Sequence, residues 1–177
     1  MRVWQLGRVA PWLLAATLLA AGCATRPANV DQMPWTSGRL SVRVDALVPQ
    51  AARSVSAAFD LRGSGERGEL RLSSPLGTLI ASAIWSPGTA RLITPEGETV
   101  FADLNALSQQ ALGESLPLAA LPDWLAGRPW PSAPSLATTE GFDQLGWRVS
   151  LARLADGYLD AERSAAPIVR LRARIER

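Results

Sequence analysis

Apolar and polar residues alternate one for one in segment after segment of this chain, and no other feature restricts its fold so strongly. In RLSVRV, Leu40, Val42 and Val44 fall on one side of an extended strand, and Arg39, Ser41 and Arg43 on the other. In SVSAAFDL the apolar side is Val55, Ala57, Phe59 and Leu61, and in GELRL it is Leu70 and Leu72. In QLGWRVSL it is Leu145, Trp147, Val149 and Leu151. In IVRLRARI, Val169, Leu171, Ala173 and Ile175 oppose Arg170, Arg172 and Arg174. Strands with one greasy and one wet side belong in an antiparallel sheet that covers a core with one face. Turn signals separate them: GSGERG at 63–68, SPLG at 74–77, SPG at 86–88 and PEG at 95–97. Their spacing of roughly ten residues suggests a meander of hairpins. Strands are predicted near 37–46, 53–62, 67–74, 78–86, 89–94, 97–102, 142–153, 157–163 and 167–176.

The middle of the chain has a different period. DLNALSQQALG at 103–113 places Leu104, Leu107, Ala111 and Leu112 at helical spacing, with Asp103 as N-cap and Gly113 as terminator. LPLAALPDWLAG at 116–127 reads as a second helix with Leu118, Leu121, Trp124 and Leu125 on its apolar face, kinked or divided at Pro122. RPWPSAPS at 128–135 reads as a proline-rich loop. Strands, two amphipathic helices, then strands make a mainly β (α+β) fold. The helices can cover the concave apolar face of a curved sheet as a lid. Periodicity leaves open whether the space beneath is a solid core or a cavity for an apolar ligand.

Chemistry is restricted by what the chain lacks. It has no histidine and a single cysteine, Cys23. A Cys/His metal site, an internal disulfide, and Ser-His-Asp or Cys-His catalysis are excluded. Carboxylate-only chemistry remains. The close pairs Glu66 and Glu69, Glu96 and Glu98, and Asp156 and Asp160 sit at turn-like places where acidic residues are ordinary. A binding protein is therefore expected, and not an enzyme. All 18 basic residues are arginine, scattered along a chain of formal net charge +2, which is not a nucleic-acid footprint. Arg39 and Arg43 on the polar face of the first strand can contact a protein partner or simply be solvated.

The first residues, MRVWQLGRVAPWLLAATLLAAGC, carry Arg2 and Arg8 and then an apolar run from 9 to 21. That is the layout of a secretory signal, and the run is shorter than the ~20 apolar residues of a transmembrane span. Ala20, Ala21 and Gly22 before Cys23 resemble a bacterial lipobox, with Ala20 where that pattern favours leucine. The expectation is a signal peptide at 1–22, a lipidated Cys23 as mature N-terminus, a tether through 34 and a folded domain over 35–177. The lipobox resemblance implies a covalent diacylglycerol and an N-acyl chain on Cys23, and two or more chains give stable attachment. No other cofactor is expected. Ala24 after the cysteine, in place of aspartate, is compatible with outer-membrane sorting.

The lipobox, GRLSVRV, ELRLSSPLGTL, ARLITPEGETVFAD, LPLAALPDWLAGRPWP and GWRVSL occur in this order. Together they resemble the LolB family of the LolA/LolB lipoprotein-localisation proteins. The resemblance covers nearly the whole mature chain, and a stretch of small residues at 45–54 departs from it. It implies a curved, unclosed antiparallel β-barrel with a helical lid over an apolar cavity, attached to the periplasmic face of the outer membrane. It implies as partners the periplasmic carrier LolA, client lipoproteins whose acyl chains enter the cavity, and outer-membrane lipid. A monomer is expected.

Ser74, Pro75, Leu76 and Gly77 fit the four positions of a type I turn, which puts Leu76 near a tip where polar residues usually stand. The resemblance implies that Pro75, Leu76 and Gly77 form a protruding loop whose leucine acts at the membrane. For the acyl-chain cavity, alternation and resemblance give Leu40, Val42, Phe59, Leu72, Trp85, Leu107, Trp124, Trp147 and Val149 as candidates. The alternative is a structural or assembly lipoprotein that binds a protein partner and holds no lipid.

Overall fold

The computed structural model describes residues 29–176, so Cys23 and the signal region lie outside the described residues. Six strands come first: β1 (Thr36–Val44), β2 (Arg53–Gly63), β3 (Gly68–Ser73), β4 (Leu79–Ser86), β5 (Thr89–Thr94) and β6 (Gly97–Phe101). Two helices follow, α1 (Leu104–Leu112) and α2 (Leu121–Leu125). Five strands complete the chain: β7 (Ser135–Thr138), β8 (Gly141–Gln144), β9 (Trp147–Ser150), β10 (Tyr158–Arg163) and β11 (Val169–Ile175).

All strands form one sheet in the order β6-β5-β4-β3-β2-β1-β11-β10-β9-β8-β7. The chain meanders outward from β1 to β6, crosses through the helical segment, and meanders back from β7 until β11 pairs antiparallel with β1. The sheet curls around the helices but does not close, because β6 and β7 remain its two edges. Leu40 is opposite Ala57 on one side and Ala173 on the other, which lines up the inward residues of β2, β1 and β11. At Gly38 the strands come so close that any Cβ would collide with the Arg174 carbonyl and the Phe59 ring.

Helix α1 has the expected ends. The Asp103 carboxylate accepts a hydrogen bond from the Ala106 N–H at 2.8 Å, and Gly113 ends the helix in the left-handed region at φ 70°. The 116–127 segment departs from expectation. Only Leu121–Leu125 is helical, and Pro122 lies in its first turn, where a missing N–H costs nothing, so it starts this helix and does not kink it. The strand expected over 142–153 is instead the hairpin β8–β9. It turns at Leu145 and Gly146, both at positive φ (54° and 77°), which exposes Leu145. Ser135, expected in the proline-rich loop, begins the edge strand β7. Residues Val30–Gln32, expected to be tether, form a single 3₁₀ turn that touches the sheet.

That contact is an ion-pair network on the outer face. Arg62 reaches Asp31 and Glu69, and Arg71 reaches Glu69, each at 2.7 Å. Both guanidinium groups lie about 4.5 Å from the Trp35 ring centroid. Burial pushes the Glu69 carboxyl up, but hydrogen bonds from Arg62 and Arg71 outweigh it and hold the group below its ordinary value. Asp160 behaves alike: burial raises it, and Arg172 and Arg153 bring it down further. Carboxylates depressed in the folded state contribute stability above their unfolded values of 4.5 and 3.8, and lose it as pH falls through the folded values. The urea midpoint should therefore drop below about pH 4.5, and Glu69→Gln should make that acid limb shallower. With no histidine to titrate, the midpoint between pH 5.5 and 8 should stay flat.

Candidate functional site

The interior of the curled sheet is filled unevenly. One half is solid: Trp124 is fully buried, its ring centroid 6.3 Å from both Phe142 and Trp147. Its indole N–H donates to the Gln144 side-chain oxygen at 2.8 Å. That oxygen also accepts from the Trp130 N–H, and the Gln144 amide donates to the carbonyls of Trp130 and Ala133. Buried Gln144 thus has four partners and ties α2 and the 130–133 segment to β8. Trp85 packs against Gly68, where a Cβ would strike its ring, and donates to the Ser64 carbonyl at 3.0 Å.

The other half contains a cavity of about 630 Å³, within the range of small-ligand sites. Leu40 and Val42 of β1, Val55 and Ala57 of β2, and Leu70 and Leu72 of β3 form its back. Leu79, Ile80, Ala81 and Ala83 of β4 and Leu92 of β5 form one side. Leu107, Ser108, Ala111 and Leu112 of α1, with Leu116 and Leu118, form the lid. The space exists because β2, β4 and α1 present alanines inward where neighbouring positions carry leucine or tryptophan. Buried Ser108 is satisfied: its hydroxyl donates to the Asn105 carbonyl at 3.1 Å and accepts from the Leu116 N–H at 3.0 Å. Thr94, Pro95 and Glu96 form a polar rim, and half-exposed Val55, Leu79 and Ile80 mark the mouth.

Four sequence candidates, Leu40, Val42, Leu72 and Leu107, line this cavity. The other five, Phe59, Trp85, Trp124, Trp147 and Val149, are buried in the packed core and do not belong to its wall. They fill space that smaller side chains would have left open. The alanines, which do make the cavity, were not singled out from the sequence.

Leu76 stands beyond the mouth, 94% exposed. The Gly77 N–H donates to the Ser74 carbonyl at 2.9 Å, closing the turn. The Ser74 hydroxyl accepts from the N–H groups of Leu76 and Thr78 at 3.3 and 3.2 Å, and Gly77 takes φ +82°. The turn is therefore built from both sides, and the leucine is held out in solvent without touching the sheet. Pro75 and Gly77 supply the bend, and Leu76 is what the bend presents.

One member of each carboxylate pair noted in the sequence is matched with arginine: Glu69 with Arg62 and Arg71, Glu98 with Arg91, and Asp160 with Arg153 and Arg172. Arg43 pairs with Asp45.

An uncompleted antiparallel barrel with an apolar, lidded cavity is a container for an apolar ligand. The family model for the outer membrane lipoprotein LolB matches residues 34–168. An outer-membrane lipoprotein LolB of Chromobacterium violaceum is 33% identical over 154 residues, covering 81% of this chain and 82% of that protein. That of Bordetella petrii is 33% identical over 162 residues, covering 84% and 81%. That of Cupriavidus metallidurans is 31% identical over 181 residues, covering 96% and 87%. The chain belongs to the LolB family of outer-membrane lipoproteins, and its place is the outer membrane.

Proposed function

We propose that this chain accepts lipoprotein acyl chains from the periplasmic carrier LolA and passes them to the outer membrane, where acyl groups on Cys23 anchor it. The observation that carries this reading is an apolar cavity of about 630 Å³ opening beside a turn that holds Leu76 in solvent. The cavity favours it over a structural lipoprotein that holds no lipid. Acyl chains are gripped by area burial at roughly 25 cal/mol per Å². Transfer then needs no energy source in this chain: a difference of about 1.4 kcal/mol in acyl-chain affinity biases donor against acceptor tenfold. The lid helix α1 rests on β5 and β6 near a free sheet edge, so chains can enter where it lifts.

The test uses a soluble chain starting at Ala24, mixed with LolA that carries a labelled lipoprotein. Label should move to the wild type and onward to added liposomes. Leu76→Glu should accept label equally and deliver it more than tenfold more slowly, since a carboxylate resists entry into lipid. Label that stays on LolA in the presence of folded wild type would refute the acceptor reading.

A further inference from the structure

The turn between β1 and β2 carries Leu47 and Val48, and neither belongs to the cavity wall. The Leu47 N–H donates to the Gln50 carbonyl at 3.0 Å and the Gln50 N–H to the Leu47 carbonyl at 2.6 Å, which leaves Val48 and Pro49 at the tip. Val48 is 95% exposed and Leu47 46%. A solitary exposed aliphatic residue is ordinary; the position of this one is not. The β1–β2 and β3–β4 hairpins are neighbours in the sheet and turn at the same end. Across the sheet two strand spacings, roughly 10 Å, separate them, and β2 runs five residues, about 17 Å, past its last pairing with β3, so the Val48 turn reaches farther out along the strands. Val48 and Leu76, the most exposed of the large hydrophobic residues described, therefore project from the same end of the sheet, the end where the cavity opens. Leu145 projects from the β8–β9 turn at that end too. The hairpin turns of the opposite end, at 64–67, 87–88 and 139–140, contain no large apolar residue, and in the longer β9–β10 connection at 151–157 Leu151 and Leu154 pack against the core. At the base of the Val48 turn, Arg53 is exposed and has no ion-pair partner among the described residues. Its guanidinium lies against Gly113 at the end of α1, behind the apolar tip; a bilayer surface suits this arrangement, with hydrocarbon ahead and phosphate at the level of the cation.

We infer that the Leu47–Val48 turn is a second lipid-contacting element, meeting the bilayer from the same end as Leu76 so that the cavity mouth faces the membrane. This rests on the reading of the Leu76 turn and the Cys23 anchor given above. Anchoring alone would not produce the contact. Asp31 and Trp35 fix the start of the folded unit at the opposite end, against Arg62. The nine residues of β1 span about 30 Å between the two ends. The eight residue steps from Cys23 to Asp31 reach at most about 29 Å. An anchor on Cys23 thus attaches to the polar end, and the apolar end meets the same bilayer only through the affinity of its own turns.

The test uses the full chain in phosphatidylethanolamine and phosphatidylglycerol liposomes, with a nitroxide placed in turn on V48C, L76C and E66C. The unsubstituted chain, treated alike, gives the background. Accessibility to oxygen, which concentrates in lipid, is compared with accessibility to a water-soluble nickel chelate. Positions 48 and 76 should both favour oxygen several-fold over position 66, which lies in a turn of the polar end. Lipid-like values at 76 with water-like values at 48 would overturn the second contact and leave the Leu76 reading standing. Water-like values at both would overturn both.

Discussion

Ala81→Trp should remove most acyl-chain acceptance from this protein while leaving its fold in place. Ala81 lines the cavity from β4, opposite Leu72, and is only partly buried, so a larger side chain has room to enter. An indole there would occupy space that a hydrocarbon chain needs. Displacing roughly 100 Å² of acyl-chain contact costs about 2.5 kcal/mol, which is about 60-fold in affinity. The thermal midpoint should hold or rise, because the indole buries apolar surface in a void that is otherwise a loss of contacts. Label transfer from loaded LolA, measured beside the melting curve, checks both parts. Unimpaired transfer to a folded Ala81→Trp protein would mean that cargo binds elsewhere.

Gln144→Leu should be among the most destabilising single changes, by about 4 kcal/mol, since each orphaned buried polar group costs about 1–3 kcal/mol and relaxation recovers part. The change leaves the Trp124 indole N–H, the Trp130 N–H and the carbonyls of Trp130 and Ala133 without their partner. For a chain of this size that loss lowers the thermal midpoint by about 8–16 °C. Trp124→Phe, which removes only the indole donor and some ring volume, should cost less, about 1–2 kcal/mol. Denaturant unfolding of both variants measures the difference. A Gln144→Leu protein as stable as wild type would show that the helical segment is held to β8 by packing alone.

What the sequence made legible follows from which physical terms have a period. Strands such as β1 and β11 have one apolar and one charged face, and their burial alternates residue by residue as the sequence does. The β8–β9 turn was missed because Leu145 and Gly146 continue an alternating run, and a leucine at positive φ is a rare choice that no pattern announces. The 116–127 helix was drawn too long because apolar spacing outweighed the proline that marks its first turn. Strand β7 has only four residues and follows a proline-rich stretch, too short for a period to emerge.

The exposed Leu76 turn was legible in the sequence, and the wall of the cavity only half so. Leu76 could be found because turn chemistry fixed its position and left its side chain unexplained. Alternation says which residues face inward, but not whether they meet. Aromatic residues drew attention as the largest apolar surfaces, yet size is why Trp85, Trp124 and Trp147 fill their space. Cavity volume comes from what is small, here Ala57, Ala81, Ala83 and Ala111, and a run of inward alanines facing a lid helix was the signal to read. Gln144 also left a mark: a polar residue two places from Phe142, on the inward side of a short strand, has to find partners in the core.

The central claim is that acyl chains occupy this cavity, and crosslinking tests it most directly. A photoreactive benzoyl-phenylalanine would replace Leu112 on the lid or, as a control, Val100 on the outer side of edge strand β6. Each protein would be loaded from LolA with a lipoprotein carrying tritiated acyl chains and then irradiated. The account predicts tritium on the protein with the probe at 112 and none on that at 100. Equal labelling at both positions, or none at 112 in a protein that has accepted cargo, would contradict it.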